Sequence, residues 1–215
     1  ASDSLEIVVK GRSSHAAYPE QGVDAIVVSA SIIQALQTIV SRSISALDNA
    51  VITIGKIQGG VRSNILANEV IMIGTIRTLS EDLRCFMRTR VKEICTKIAA
   101  AFGASCEVHI RPSYPVLIND ESATELVRAT AISILGESNV IMRQEPNLGV
   151  EDFAYFLRER PGTFWHLGCG KPRMEKIYPL HSAEFDIDEA CLPIGVAIQA
   201  ASALTFLQLR NQKQG

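Results

Sequence analysis

LEIVVKGRSSHAAYPEQGVDAIVVSASIIQALQTIV, residues 5–40, is the stretch whose reading decides the fold. Leu5 to Val9 is apolar and β-branched, the composition of a strand. Gly11, Pro19 and Gly22 then break the pattern, and apolar residues return at helical spacing. Val23, Ile26, Val27, Ala30, Ile33 and Val40 make one expected buried stripe, with Asp24 early enough to complement the helix dipole and an end near Arg42. A strand, a loop and a helix therefore open the chain.

Working outward, Ala50 to Ile57 reads as a second strand, GGVRSN (59–64) as a loop, and Glu69 to Thr78 as a third strand with period-two alternation. Ser80 has the character of an N-cap for a helix carrying Leu83, Phe86, Val91, Ile94, Cys95, Ile98 and Phe102, which Gly103 ends. Ser105 to Arg111 alternates again as a strand. Residues 4–113 thus spell β-α-β-β-α-β, the ferredoxin-like arrangement of an antiparallel sheet with two helices on one face.

Past the proline-containing linker RPSYPVLIND (111–120), a second domain is expected over residues 114–215. Ser122 to Leu135, Asp152 to Arg158 and Glu189 to Leu209 read as helices, Asn139 to Met142 and Thr163 to Gly168 as short strands, and Lys171 to Tyr178 as a polar loop. Two short strands cannot easily close a sheet-based core. The expectation is an α+β chain: a complete ferredoxin-like domain, then an incomplete C-terminal portion of an α/β domain.

An apolar fraction of 47% against 20% charged residues is ample for a packed core and unlike a disordered tail. Net charge is −2 with lysines and arginines scattered among acids, which sets aside nucleic acid as a partner. Five cysteines, an odd number with no CxxC pair, read as reduced thiols and point to the cytoplasm. With no unbroken apolar run of about 18 residues and no basic start followed by an apolar segment, neither a membrane nor an export signal is expected.

Chemistry has a few candidate bearers. His15 lies in a loop rich in glycine, serine and alanine, where an imidazole is presented to stabilise a developing oxyanion, or is an ordinary surface histidine. Asn64 follows a glycine pair: it fills a turn, or gives an amide donor to a substrate oxygen. Arg77 ends the third strand, solvated or gripping a carboxylate through two parallel hydrogen bonds. His181 in YPLHSAEFDID, beside Glu184, Asp186 and Asp188, suits a metal, although zinc needs three or four protein ligands. Glu151 and Asp152 in NLGVEDFAYF are an acidic pair at a helix start, after Gly149, which permits close approach to a ligand. His109 and His166 read as structural.

GRSSHAAYPEQGVDAI (11–26), GGVRSNILANEVIMIGTIRT (59–78), GVEDFAYF (149–156) and PLHSAEFDIDE (179–189), in this order, resemble the aminoacylases and N-acyl-amino-acid amidohydrolases. That family includes hippurate hydrolase, auxin-conjugate hydrolases and zinc carboxypeptidases. The resemblance implies a ferredoxin-like lid and dimerisation domain over residues 4–113, inserted in a metallo-hydrolase catalytic domain to which 114–215 return. It implies a homodimer, cleavage of the amide of an N-acyl amino acid or small peptide, and two divalent ions, zinc or manganese, in the full-length parent. His15 matches the lid histidine that polarises the scissile carbonyl across the dimer. Asn64, Arg77, Gly149 and Glu151 match substrate-site positions, and His181 matches a metal ligand.

The family's remaining metal ligands and its paired glutamates precede the segment that matches this chain. The chain alone is therefore expected to retain no metal pair and to be inactive. The alternative is a non-catalytic dimerisation or small-ligand-binding module that keeps the ferredoxin-like fold.

Overall fold

The computed structural model describes residues 1–171 and 178–212. The chain forms two compact units: Ala1–Leu117 together with Pro146–Tyr155, and Ile118–Glu145 together with Phe156–Gly215.

In the first unit, β1 (Ser2–Lys10), α1 (Ala25–Thr38), β2 (Ala50–Gly59), β3 (Glu69–Thr78), α2 (Glu81–Ala101) and β4 (Ser105–Pro112) follow in the expected order. The strands form one four-stranded antiparallel sheet, ordered β2-β3-β1-β4. Side chains alternate across it: Leu5, Ile7 and Val9 of β1 and Val70, Met72 and Ile76 of β3 are buried against the helices. A bulge between Ile54 and Lys56 interrupts the β2–β3 register at Gly55.

Local chemistry sets the helix ends. The Asp24 carboxylate caps α1 by accepting from Ile26 N (2.9 Å), and Ser80 Oγ caps α2 by accepting from Leu83 N (3.1 Å). Gly103 (φ 73°) follows α2 in the left-handed conformation that glycine adopts without penalty. A π turn, Ile39–Ser43, extends α1.

The buried face of α1 differs from the expected stripe. Ala25, Val28, Ser29, Ile32 and Leu36 are buried, whereas Ile26 and Val27 are about half exposed and Ala30 is also exposed. The helix is apolar nearly all round, so spacing alone does not choose the face; the sheet does. In α2, Met87 is buried while Phe86 is exposed, as is Phe102 at its C-cap.

The second unit holds α3 (Glu121–Leu135), which the Asp120 carboxylate caps by accepting from Ala123 N (2.8 Å), and α5 (Cys191–Gln212), packed together. The unit boundary falls inside α4 (Phe153–Glu159). Neither expected short strand forms. Glu137–Asn139 is a 3-10 turn followed by exposed Ile141 and Met142. Residues 163–168 pair with no strand; instead the Asn119 side chain donates to Phe164 O (2.9 Å) and accepts from Phe164 N (2.8 Å), standing in for a backbone neighbour. Strand propensity without a partner ladder leaves the backbone groups unpaired, and other structure wins. Of the expected loop Lys171 to Tyr178, residues 172–177 lie outside the described residues.

By length and composition Ala25–Ser43 and Cys191–Gln212 are apolar enough to cross a membrane. The first uses its apolar side against the sheet. The second buries Cys191, Ile198 and Ser202 and exposes Leu192, Val196, Leu204 and Phe206.

Candidate functional site

The loop after β1 is fastened from both sides. Gly11 N donates to Asn68 O (2.8 Å), and Arg12 and Val23 exchange backbone hydrogen bonds (2.9 and 2.8 Å). A Cβ on Gly11 would meet Val23 O at 2.1 Å, and one on Gly22 would meet Ser14 Oγ at 2.5 Å, so both positions need glycine for close approach.

The loop 60–68 then zips against it. Leu66 N donates to Ser14 O and Ala16 N to Asn64 O, each at 3.0 Å, and His15 faces Ile65 in an isolated bridge. His15 and Asn64 are therefore brought together, both exposed, beyond the sheet end where Lys10 of β1 faces Glu69 of β3. The His15 ring accepts at Nδ1 from Ala17 N (3.1 Å), and its ring centroid lies 5.9 Å from that of Tyr18.

Arg77 is elsewhere. It faces Ser2 at the opposite end of the sheet, roughly 25 Å from Glu69 at a strand rise of about 3.3 Å per residue. A cluster of His15, Asn64 and Arg77 within one chain, which a single shared site would need, does not form. Half-buried, Arg77 donates from Nη1 to Leu148 O (3.1 Å), which puts the 146–155 segment, with Gly149 and Glu151, at its end of the sheet. Glu151 is exposed just before α4, and its carbonyl accepts from Ala154 N (3.3 Å). Gly149 N already donates to Asn147 Oδ1 (2.8 Å), so this amide is engaged.

His181, in the second unit, is exposed at φ 71°, the described non-glycine residue with a left-handed backbone. Such a conformation costs a residue with a Cβ about 1 kcal/mol or more and marks a position worth explaining. Ser182 Oγ donates to the neighbouring Glu184 carboxylate (3.1 Å). Among the described residues no three His, Cys, Asp or Glu side chains converge to hold a metal ion. A two-metal centre does not fit the residues present, because His181 has too few companions.

Sequence reading passed over a second polar cluster. Asp3, 1% exposed, takes hydrogen bonds from Arg84 Nη2 (2.7 Å) and Arg88 Nη2 (2.6 Å), and Arg84 Nη2 also donates to Ser2 O and Ser113 O. Arg84 therefore ties the start of β1 to the segment that leaves β4. Periodicity placed neither partner, because they are 81 residues apart.

Residues 2–102 match the family model described as the M20 peptidase dimerisation domain. They are an M20 dimerisation domain. Over almost the whole chain the likeness extends further: a thermostable carboxypeptidase of Saccharolobus solfataricus is 34% identical over 95% of the chain. An N-acetyl-L-cysteine deacetylase of Bacillus subtilis is 34% identical over 89%. In structure, a Bacillus subtilis protein described as a dinuclear metal-binding peptidase of the M20 family superposes with a TM-score of 0.75, at 25% identity over 97% of the chain. The chain with this M20 domain spans about half of each of these relatives: 51%, 44% and 50% of their lengths.

Proposed function

We propose that this chain is part of an amidohydrolase that cleaves the amide of N-acyl amino acids or small peptides in the cytoplasm. Residues 4–113 serve as lid and homodimer interface, and residues 114–215 belong to the metallo-hydrolase catalytic domain. The observation that carries this reading is the separation of His15 and Asn64 from Arg77 by the length of β3. An N-acyl amino acid is far shorter than the sheet, so one substrate touches all three only if His15 and Asn64 come from a second copy.

The first unit has a surface suited to that copy. β2 is an edge strand, and beside it α1 presents Ile26 and Val27 about half exposed. An open edge and an apolar helix face pair readily with their own twins across a two-fold axis.

In the assembled site Arg77 grips the substrate carboxylate with its planar fork. Gly149 and Glu151, near Arg77 on the same unit, line that side. His15 and Asn64 of the other subunit donate to the amide carbonyl oxygen as it gains charge, and loss of one such donor costs about 10²–10³ in rate. Separately, in the second unit, His181 would be one ligand of a divalent ion held by the full-length protein. Because no three described His, Cys, Asp or Glu side chains group to hold a metal ion, we propose that this chain by itself does not turn over.

The test uses the gene product at the length of its relatives, with N-acetyl amino acids as substrates. His15→Ala should lower kcat by about 10²–10³ with little change in KM, and Arg77→Met should raise KM instead. Unchanged kinetics in both variants would contradict the assignment. The 215-residue chain alone, with zinc or manganese added, should give no hydrolysis above background.

A further inference from the structure

The His15 ring is held by one backbone group, and that contact says which nitrogen works. Ala17 N lies 3.1 Å from His15 Nδ1, with its hydrogen directed at the ring nitrogen. An amide N–H only donates, so Nδ1 must present its lone pair, and in a neutral imidazole the single hydrogen then sits on Nε2. A hydrogen on Nδ1 would oppose the Ala17 N–H head-on.

The turn that carries Ala17 is itself braced. Tyr18 N donates to His15 O (2.8 Å), Ala16 N donates to Asn64 O (3.0 Å), and Leu66 N donates to Ser14 O (3.0 Å), so His15 and its flanking peptides are tied on both sides. Beneath it Ser14 Oγ is buried against Gly22, where a side chain would collide at 2.5 Å.

From this geometry we infer that the Ala17 amide fixes the neutral His15 ring in the tautomer with its hydrogen on Nε2, leaving Nε2 as the hydrogen-bond donor. Ala17 is a positioning residue, acting through its backbone. This inference rests on the proposed role of His15 and narrows it: a donor of fixed hand suits a developing oxyanion, whereas a general base would need a free lone pair facing the substrate.

The experiment is nitrogen-15 NMR of the His15 ring in the labelled full chain, at a pH well above the ordinary imidazole range. The expected spectrum shows Nδ1 as the bare, pyridine-like nitrogen and Nε2 as the protonated one. Ala17→Pro, which removes the amide hydrogen, should shift the ring toward a mixture of tautomers. Should that variant fail to fold, the wild-type spectrum still decides. A dominant Nδ1–H form, or a ring already mixed in the wild type, overturns the inference. The role of His15 is judged apart from this: a correct tautomer with unchanged kcat in His15→Ala of the longer gene product sinks the catalytic reading and leaves the tautomer standing.

Discussion

Asp3 shows how much one residue can matter that no motif announces. Burial would push its carboxyl up, but the hydrogen bonds and charges of Arg88 and Arg84 outweigh it and hold the carboxyl below its ordinary range. A group whose folded pKa is depressed contributes stability above its unfolded value, near about 3.9, and that contribution is lost as pH falls through the folded pKa. The urea midpoint should therefore hold from neutral pH down to the carboxylate range and fall below it. Asp3→Asn should flatten part of that acid dependence and destabilise by about 3–5 kcal/mol, because Arg84, 4% exposed, is left short of counter-charge. A cost under about 1 kcal/mol, within the range of exposed pairs, would show the pair to be unimportant. The loops that carry His15 and Asn64 were legible in the sequence, though not that they lie against each other. Asp3 and Arg84 were not, since each is an ordinary charged residue until the fold brings them together.

The elements repeat the lesson with different physics. Ser80 and Gly103 marked the ends of α2 because capping and left-handed backbone are local chemistry, present in the sequence itself. The buried face of α1 was hidden, since an all-round apolar helix becomes one-sided only when a sheet covers it. Residues 139–142 and 163–168 looked like strands and are not, because a strand is a relation between two segments and propensity describes one. Close approach inside the sheet is equally invisible from sequence: a Cβ on Gly74 would meet Thr53 O at 2.0 Å. Gly74→Ala should cost about 1–3 kcal/mol by forcing β2 from β3, read by urea unfolding. An unchanged midpoint would mean that the strands part without penalty.

For the whole molecule, sequence patterning reached the order and type of the first unit's elements, but not that residues 146–155 lie with that unit beside Arg77, a long-range placement without periodic signal. Exposed Leu192, Val196, Leu204 and Phe206 on α5 form an apolar surface that a soluble monomer seldom leaves open. If α1 and β2 form the dimer face, Val27→Glu should turn the sedimenting species from dimer to monomer while leaving the circular dichroism spectrum intact; a dimer that persists would place the interface elsewhere. The central claim is that one substrate is held by Arg77 of one subunit and His15 of another, and mixing two impaired variants of the longer gene product, assayed at substrate well below KM, tests it most directly. His15→Ala and Arg77→Ala subunits, unfolded together and refolded in equal amounts, should recover about a quarter of the wild-type activity, since half the dimers are mixed and each has one intact site of two. No recovery from the refolded mixture would contradict the account.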